Sequence, residues 1–428
     1  MPRPLRIAFT VYRGNPHSGG QGVYTRYLTR ELVAMGHTVE VFSGQPYPVL
    51  NDGVTLTKVP SLDLYRQPDP FRVPRLREFK SIIDVLEFAI MCTAGFPEPR
   101  TWSRRIRRVL RARGDDFDVV HDNQCLGNGI LGLVADGWPV LTTLHHPITV
   151  DRDLELSHAH SPWRRFTLRR WYGFLAMQKR VARELPRLLT VSHSSKRDIV
   201  AQMGVDEDKL AVVAVGVDTD RFRPLAHVAK IPGRLMTTAS ADVPLKGLVP
   251  LLEALAKVRT ERDADLVVVG QPRPESRVDE TIERLGLRDA VTFVSGVSDE
   301  RIVELYNEAE VAVVPSLYEG FSLPAIEAMA CGTALVATTG GALPEVVGED
   351  GLAGLLVTPN DAGELAVAIG EVLDNPTLRV SLGAQGRARV IERFTWRACA
   401  ESTVAEYRRL LDAAAAKAPS RRAKRPGN

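Results

Sequence analysis

Cysteine is scarce in this sequence, and its cysteines are far apart. Cys92, Cys125, Cys331 and Cys399 follow one another at intervals of at least 33 residues. A zinc site or a redox disulfide usually shows two cysteines within a few residues of each other, so this spacing argues against both. So few cysteines in 428 residues also predict a protein of a reducing compartment, and we expect it in the cytoplasm.

Long hydrophobic runs are missing as well. The most apolar window extends from Ile82 to Phe96, and Asp84 and Glu87 interrupt it, so we expect no membrane-spanning segment. A strand-like run, Leu5 to Thr10, begins so early that we expect no signal peptide. Apolar residues make up 44% and charged residues 25% of the chain, as in globular proteins, and the length predicts two hydrophobic cores.

The net charge is small, but the basic residues are unevenly distributed. The formal charge is +3, with 55 basic and 52 acidic residues. Seven arginines and no acidic residue lie between Arg100 and Arg113, and residues 413 to 428 carry five more basic residues. Without these twelve, 43 basic residues stand against 52 acidic ones. We therefore expect no nucleic acid as a partner.

The arginine-rich segment predicts an amphipathic helix. Trp102, Ile106, Val109 and Leu110 fall roughly on one side of a helix with 3.6 residues per turn, opposite the arginines. Such a helix can dock peripherally to the anionic inner face of a membrane. It can equally pack on the protein's own sheet with its basic side in water. The sequence leaves both alternatives open.

Short apolar runs alternate with helical patterns along the chain, which indicates an α/β fold with parallel layers. Most runs are apolar throughout, so we expect strands covered on both faces. The predicted strands of the first half are Arg6–Thr10, Thr38–Phe42, Val119–His121, Val140–Leu144 and Leu188–Val191. Those of the second half are Leu235–Thr238, Leu266–Val269, Val291–Phe293, Val311–Val314, Ala334–Ala337 and Gly354–Val357.

The most informative segment lies between Glu319 and Glu327. It reads Glu-Gly-Phe-Ser-Leu-Pro-Ala-Ile-Glu and follows the predicted strand Val311–Val314. Ser322 is a predicted helix N-cap and Pro324 suits a first turn, so the segment predicts strand, loop and helix. Ligands bind at such loops in parallel sheets, and two carboxylates there can accept hydrogen bonds from a neutral polyol. Glu327 could instead only complement the helix N-terminus.

This segment, continued by Ala328 to Gly332 and by Gly340 to Glu345, resembles the E-x7-E signature of the retaining glycosyltransferases of family 4. The resemblance extends from the first strand to about Leu411. It implies the GT-B architecture, in which two doubly wound, Rossmann-like domains face a cleft that binds a nucleotide-sugar. It also implies metal-independent, retaining transfer of a hexosyl group from a nucleotide diphosphate sugar to an acceptor hydroxyl, without a cofactor. The acceptor cannot be read from the sequence.

The resemblance assigns roles to the residues of this segment. Glu319 would hold hydroxyls of the donor sugar and count among the catalytic residues. Glu327 would bind the ribose diol. The loop amides would bind the sugar and the phosphates, and they belong to Gly320, Phe321, Ser322 and Leu323.

Lys246 matches the lysine of the family that binds the donor pyrophosphate. It follows the predicted strand Leu235–Thr238, where an ammonium group and a helix N-terminus can neutralise phosphate. The chain departs from the family six residues earlier, because Ser240 stands where an arginine is usual. Arg273 or Arg277 could supply the missing positive charge.

Two further candidates lie in the first half. Gly19 and Gly20 open a helix that we expect to end near Met35, and with Gly22 they do not have the G-x-G-x-x-G spacing of dinucleotide-binding turns. The loop resembles the glycine loop of the family, beside the donor phosphate and the acceptor. His145 matches the family histidine that meets the donor sugar, so we count it as catalytic. No function is assigned to the adjacent His146.

The resemblance also implies the domain organisation. Val215 to Pro224 resembles the interdomain connector, so we expect an N-terminal domain at residues 1–222 and a nucleotide-sugar domain at 223–396. A helix at about 397–412 would return to the first domain, and a basic tail at 413–428 would be disordered. Two D-x-D matches, at Asp218 and Asp151, lack the apolar flanking strand of a metal-nucleotide site, and we expect no metal.

Two other functional classes stay open at this point. An epimerase or a phosphorylase can have the same fold, although the E-x7-E spacing argues against both. A non-catalytic sugar-binding protein is the third class, and the replacement of the usual arginine by Ser240 is its only support.

Overall fold

The computed structural model describes residues 3–15, 20–66, 68–157, 159, 161–239, 243–271 and 276–417. The chain forms two compact units. The first contains the chain up to Val191, Lys196–Val213 and the residues from Ala400 onward. The second contains Ser192–Ser195 and Ala214–Cys399, so it begins ahead of the predicted boundary at residue 222.

The first unit is built on a seven-stranded, fully parallel sheet with the order β3-β2-β1-β4-β5-β6-β7. Its strands are β1 Arg6–Val11, β2 Thr38–Ser43, β3 Thr55–Lys58, β4 Val119–Asn123, β5 Val140–Thr143, β6 Arg187–Thr190 and β7 Leu210–Val212. Its helices are α1 Gln21–Ala34, α2 Ile82–Cys92, α3 Glu98–Arg113, α4 Asn128–Ala135, α5 Thr149–Ser157, α6 Pro162–Trp171, α7 Leu175–Glu184 and most of α8 His193–Met203. The central strands β1, β4 and β5 are buried apart from Arg6, and the buried residues include the polar carboxyl end of β4, His121 to Asn123.

The second unit repeats this plan with six parallel strands in the order β10-β9-β8-β11-β12-β13. Its strands are β8 Arg234–Thr238, β9 Asp265–Val269, β10 Val291–Val294, β11 Val311–Val314, β12 Ala334–Thr338 and β13 Leu355–Val357. Its helices are α9 Leu248–Val258, α10 Arg277–Leu285, α11 Asp299–Glu308, α12 Leu323–Ala330, α13 Leu343–Val347, α14 Ala362–Asp374, α15 Pro376–Arg393 and the start of α16 Trp396–Lys417. The predicted α/β class with two doubly wound units is thus confirmed.

The strand order fixes where a ligand can bind in each unit. In the first unit the order reverses between β1 and β4, and in the second between β8 and β11. The connections that follow the two central strands leave toward opposite faces of the sheet, which opens a crevice at the carboxyl ends of the strands. The loops after β1, β4, β8 and β11 therefore form the two candidate edges.

Some sequence expectations differ from the structure. The strands β3 and β7 were not predicted. Both are short edge strands with partial burial, but β3 is mostly polar, whereas β7 opens the apolar run from Leu210 to Val215. The predicted disordered tail is wrong for residues 413–417, which continue α16; alanine is the strongest helix former and makes up most of this stretch. The rest of that tail, residues 418–428, lies outside the described residues.

The arginine-rich helix α3 packs its apolar side into the first unit. Trp102, Ile106 and Leu110 are fully buried there, whereas Arg104, Arg108 and Arg111 are exposed. The structure therefore has the packed helix with a solvated basic side, the second of the two alternatives. Within the described part of the chain, no helix is long and apolar enough to cross a membrane.

Candidate functional site

Glu319 lies at the edge of the second sheet where the strand order reverses. It follows β11, and its side chain is buried. Its Oε1 accepts a hydrogen bond from Ser316 Oγ at 2.7 Å and forms an ion pair with Lys246 Nζ at 2.7 Å. Two of the predicted site residues are thus in direct contact, although 73 residues separate them in the sequence.

A glycine explains how Lys246 reaches this position. Lys246 ends a short 3₁₀ turn, Pro244–Lys246, and Gly247 opens α9 with φ of 66°. A Cβ at Gly247 would lie 1.9 Å from the carbonyl oxygen of Pro315, so only glycine permits this approach and this backbone conformation. Leu317 N also donates to Leu245 O at 2.7 Å. The loops after β8 and β11 are therefore held together by their backbones.

The loop between Glu319 and α12 corrects the prediction for Ser322. Ser322 occupies the N-cap position, but its side chain makes no capping hydrogen bond, and its φ of 90° lies in the left-handed region. Its Oγ is buried without a hydrogen-bond partner in the described part of the chain. This conformation is strained for serine, and it leaves the N–H groups of the first turn of α12 without a side-chain cap. Uncapped N–H groups at a helix N-terminus favour an anion.

The loop is anchored on both sides. The carbonyl oxygen of Gly320 accepts hydrogen bonds from the hydroxyls of Ser192 and Ser195, at 2.7 and 3.0 Å, from the short segment that belongs to the second unit. The ring of Phe321 is buried and packs against Phe394 at 5.6 Å. The side chain of Phe321 is therefore a structural anchor, and only its backbone N–H is left for a ligand.

The motif Gly340 to Glu345 supports the backbone of Glu319. Ala342 N donates to Glu319 O at 2.9 Å, and a Cβ at Gly341, whose φ is 65°, would lie 2.2 Å from the same oxygen. Glu345 accepts hydrogen bonds from the backbone N–H groups of His193 and Ser194 at 2.8 and 2.6 Å. The second half of the family motif therefore positions the loop that carries the first half.

Glu327, eight residues after Glu319, lies in α12 and is partly exposed. Burial raises the pKa of its carboxyl group to about 7. Tyr306 donates a hydrogen bond to its Oε2 at 3.3 Å, and the same hydroxyl is 3.1 Å from Thr238 Oγ1 at the end of β8. The hydroxyl of Tyr306 thus links Glu327 to the carboxyl end of β8.

The raised pKa of Glu327 predicts a pH dependence of stability. Between the ordinary pKa of 4.5 and about 7, the folded protein keeps a proton that the unfolded chain has lost. This carboxyl group therefore lowers the free energy of unfolding as the pH rises through that window, by up to about 3 kcal/mol. We expect Glu327→Gln to gain stability relative to the wild type between about pH 5 and pH 8, measured by urea unfolding. If the free energies of unfolding of Glu327→Gln and the wild type differ by the same amount at about pH 5 and at about pH 8, this prediction is wrong.

In the first unit, His145 lies beside the start of α1. Its Nε2 is 2.8 Å from Oδ1 of Asn123, and its ring meets the ring of Tyr24 edge-on at 4.7 Å. Asn123 in turn donates to the carbonyl oxygen of Gln21 at 3.3 Å, next to Gly20, whose φ is 72°. The loops after β1, β4 and β5 thus bring Gly20 and His145 to one edge of this sheet.

Burial sets the protonation of His145. It lowers the pKa of the imidazole to about 3, so the ring is neutral at physiological pH. Because the oxygen of Asn123 can only accept, Nε2 carries the proton and Nδ1 is an acceptor. His146 is 3.0 Å from Asp151, a contact between neighbours in the chain.

Three residues named in the sequence analysis lie outside the described part of the chain, namely Gly19, Ser240 and Arg273. Arg277, the other proposed source of positive charge, is exposed in the first turn of α10. In the described ranges no group of His, Cys, Asp and Glu has the arrangement of a metal site. Asp218 and Asp151 use their carboxylates locally, on the N–H groups of Asp220 and Arg221 and on His146.

Sequence reasoning missed the residues that hold the candidates in place. Asn123, Ser316 and Tyr306 each contact a predicted site residue. A signal existed for the first two, because a polar residue at the carboxyl end of a buried parallel strand is well placed for a site. Tyr306 gave no signal, because a tyrosine in the middle of a helix is ordinarily a packing residue.

Comparisons with known proteins agree with this geometry. Residues 230–389 match the family "Glycosyl transferases group 1", and residues 18–221 match "Glycosyltransferase Family 4". The MMP alpha-(1->4)-mannosyltransferase of Mycolicibacterium hassiacum is 53% identical over 413 residues, which cover 96% of this chain and 100% of that protein. D-inositol 3-phosphate glycosyltransferase 2 of Catenulispora acidiphila is 28% identical over 440 residues, covering 96% of each chain. Sucrose-phosphate synthase of Thermosynechococcus elongatus has a similar structure, with a TM-score of 0.72 at 24% identity over 96% of this chain and 100% of its own.

The two doubly wound units, together with the matches to glycosyltransferase families, show a glycosyltransferase with the GT-B fold. Within that class, the chain belongs to the glycosyltransferases of family 4. It is a hexosyltransferase.

Proposed function

We propose that this enzyme transfers a mannosyl group from a nucleoside diphosphate sugar to an acceptor hydroxyl, with retention of configuration and without a metal ion. The relative from Mycolicibacterium hassiacum, which is 53% identical and matched over its whole length, carries α-(1→4)-mannosyltransferase in its name. We infer the same sugar and the same linkage for this chain. The observation that carries the proposal is the contact between Lys246 and Glu319 at the reversal point of the second sheet.

The donor would occupy the carboxyl edge of β8 and β11. The N–H groups of Gly320 to Leu323 and the uncapped start of α12 favour the diphosphate, and Lys246 adds a full positive charge beside them. Glu319 would accept hydrogen bonds from hydroxyls of the sugar. Glu327, which Tyr306 links to the carboxyl end of β8, would accept hydrogen bonds from the ribose diol once it is ionised.

The proposed mechanism follows from where charge develops in the transition state of the transfer. The bond between C1 of the sugar and the diphosphate oxygen breaks, C1 gains positive character, and the diphosphate gains negative charge. Preorganised N–H groups and an ammonium at the diphosphate stabilise this distribution more than the ground state. The acceptor oxygen forms the new bond to C1 on the same face, and its proton passes to the departing diphosphate oxygen. No enzymic nucleophile is required, and a neutral His145 suits contact with the sugar.

Lys246 and the helix N-terminus replace a metal ion in this proposal. In a metal-dependent transferase a divalent cation neutralises the diphosphate, and carboxylates placed together would hold it. A cytoplasmic location of the enzyme remains a prediction, which rests on the scarcity of cysteines.

A panel of nucleoside diphosphate sugars tests the proposal. The purified enzyme is incubated with guanosine, uridine and adenosine diphosphate sugars and an oligomannoside acceptor, with excess chelator throughout. We expect release of the nucleoside diphosphate from a mannosyl donor and an axial, α-configured product by nuclear magnetic resonance. Activity that disappears with chelator and returns with Mn²⁺ or Mg²⁺ would overturn metal independence.

Other outcomes assign the enzyme to another class. Conversion of the donor sugar without transfer would indicate an epimerase, and release of a sugar phosphate in inorganic phosphate would indicate a phosphorylase. Binding without turnover for every donor would indicate a sugar-binding protein. A β-configured product would contradict retention and leave transferase activity intact.

A further inference from the structure

The turn that follows β4 has a strained backbone. Gln124 and Leu126 have φ of 56° and 51°, in the left-handed region that glycine and asparagine adopt most readily. Both side chains are buried. The turn lies at the carboxyl edge of the first sheet, where the strand order reverses. Strain of this kind persists only where the surrounding contacts fix the backbone, and such positions are frequent at functional sites.

Buried polar contacts hold this turn in place. The N–H group of Gln124 donates to the carbonyl oxygen of Asp122 at 3.2 Å, and the N–H group of Leu126 donates to Oδ2 of the same residue at 3.1 Å. Gln178 of α7 donates to the carbonyl oxygen of Cys125 at 3.1 Å. The side chains of Asp122 and Gln178 are both buried. The backbone is thus fixed at Gln124 and at the two residues after it.

The side-chain amide of Gln124 binds the backbone of the loop that carries His145. Its Oε1 accepts a hydrogen bond from the N–H group of His145 at 2.8 Å, and its Nε2 donates to the carbonyl oxygen of His146 at 3.3 Å. The backbone pairing of β4 with β5 extends to Asn123 and Thr143. The amide therefore joins the two loops just beyond the last pair of the ladder, with its oxygen and its nitrogen each on a matching partner.

The two strained residues differ in what their side chains do. Leu126 packs in the hydrophobic core of the first unit, which explains an apolar residue there. Glycine or asparagine would adopt the backbone of Gln124 at a lower cost. Glycine has no amide, however, and the side chain of asparagine is one carbon shorter. The contact with the backbone of His145 therefore explains a glutamine at this position.

We propose that Gln124 is a positioning residue for His145, and that the strained turn holds its amide against the loop that carries the imidazole. The inference rests on the proposed function, in which His145 contacts the donor sugar. Asn123 holds the ring of His145 through Nε2, whereas Gln124 holds its backbone. Together they fix where the imidazole lies and how it is oriented. A displacement of about 1 Å at such a contact can lower a rate about 100-fold.

Gln124→Asn tests the proposal, because asparagine suits the left-handed backbone but is too short to reach His145. We expect kcat with the mannosyl donor to fall about tenfold. The melting temperature should stay within about 2 °C of the wild type, because the relieved strain offsets the lost hydrogen bonds. Calorimetric affinity for the free nucleoside diphosphate should not change, since the proposed diphosphate contacts all lie in the second unit.

Further variants separate positioning from a general effect on the fold. Gln124→Met keeps the length of the side chain without its hydrogen-bonding groups, and should lower kcat to a similar extent. In a His145→Ala background, Gln124→Asn should change kcat less than about twofold, because it acts through His145. Ala94, between α2 and α3, has φ of 59°, so Ala94→Gly relieves the same kind of strain and should leave kcat unchanged.

Nuclear magnetic resonance of the full chain gives a readout that does not depend on turnover. The chain has nine histidines, and the His145→Ala variant identifies the ring signals of His145 in histidine-labelled protein. Gln124→Asn should shift or broaden these signals, whereas Ala94→Gly should leave them as in the wild type.

The outcomes distinguish this inference from the proposed function. Wild-type kcat in both Gln124 variants, an equal fall of kcat in the His145→Ala background, or unchanged ring signals of His145 would each overturn the inference alone. Full activity of His145→Ala would overturn the contact between His145 and the sugar, and the inference with it. A wild-type enzyme that is inactive with every donor would overturn the proposed function, and the ring signals would still decide whether Gln124 positions His145.

Discussion

Glu319→Gln should reduce turnover by about 10²–10³-fold and leave the fold intact. The substitution keeps the shape of the side chain and removes the negative charge that the proposed donor sugar contacts. It also breaks the ion pair with Lys246, which is partly exposed to water, so we expect a loss of about 1 kcal/mol in the free energy of unfolding at most. Steady-state kinetics and thermal unfolding measure the two effects.

The same variant gives a second and more selective result. In the free enzyme Lys246 is held by Glu319 at 2.7 Å, and a diphosphate must compete for it. Glu319→Gln releases the lysine, so the nucleoside diphosphate should bind equally well or more tightly while turnover falls. Glu371→Gln, at an exposed position on α14, is the control and should behave as the wild type. Unfolding of Glu319→Gln with normal activity in the folded fraction would refute the catalytic role.

Lys246→Ala should weaken binding of the nucleoside diphosphate by about 10- to 100-fold. A hydrogen bond between an ammonium and a partly buried phosphate contributes about 1.5–3 kcal/mol, and this lysine is the charged partner at the edge of β8 and β11. Turnover should fall at least as much, because the charge on the leaving diphosphate increases in the transition state. Isothermal titration calorimetry of the nucleoside diphosphate gives the affinity directly.

Lys257→Ala is the matched control for this prediction. Lys257 lies on α9 of the same unit and is exposed, so its removal changes the net charge equally without touching the candidate site. An unchanged affinity in Lys246→Ala would move the donor site away from this edge. A similar loss in both variants would show a general effect of charge and no specific contact.

The alternation of apolar runs with helical patterns was sufficient to predict the fold class. Val311–Val314 was predicted to the residue, because a strand buried on both faces must be apolar throughout. The edge strand Thr55–Lys58 was missed because it is mostly polar and only partly buried, and pairing with a neighbour rather than composition makes it a strand. The edge strand Leu210–Val212 is apolar, and its composition could have predicted it. The helix to Lys417 was cut short because the last sixteen residues were treated as one segment rich in Ala, Pro, Arg and Lys, although alanines dominate its first five residues.

In the candidate site, too, some features could be predicted from the sequence and others could not. Glu319, Glu327 and Lys246 could be proposed as site residues because their motifs are local in the sequence. The strain at Ser322 could not be found, because an N-cap serine with a normal backbone has the same sequence signature as one in the left-handed region. The position of Glu327 next to Tyr306 depends on the packing of α11 against β8 and α12, and this packing sets its pKa.

The sequence by itself determined the parallel α/β architecture and the family, and it predicted the loops of the candidate site, because each depends on residues that are neighbours in the chain. Only the tertiary structure decided that Lys246 meets Glu319, that Gly247 must be glycine and that His145 is neutral, since each depends on atoms brought together from distant segments. The exposure of apolar residues on α2 was likewise decided only by the tertiary structure. Ile82, Val85 and Leu86 look like core residues in the sequence, but they are exposed because Asp84 and Glu87 face inward in buried ion pairs with Arg105.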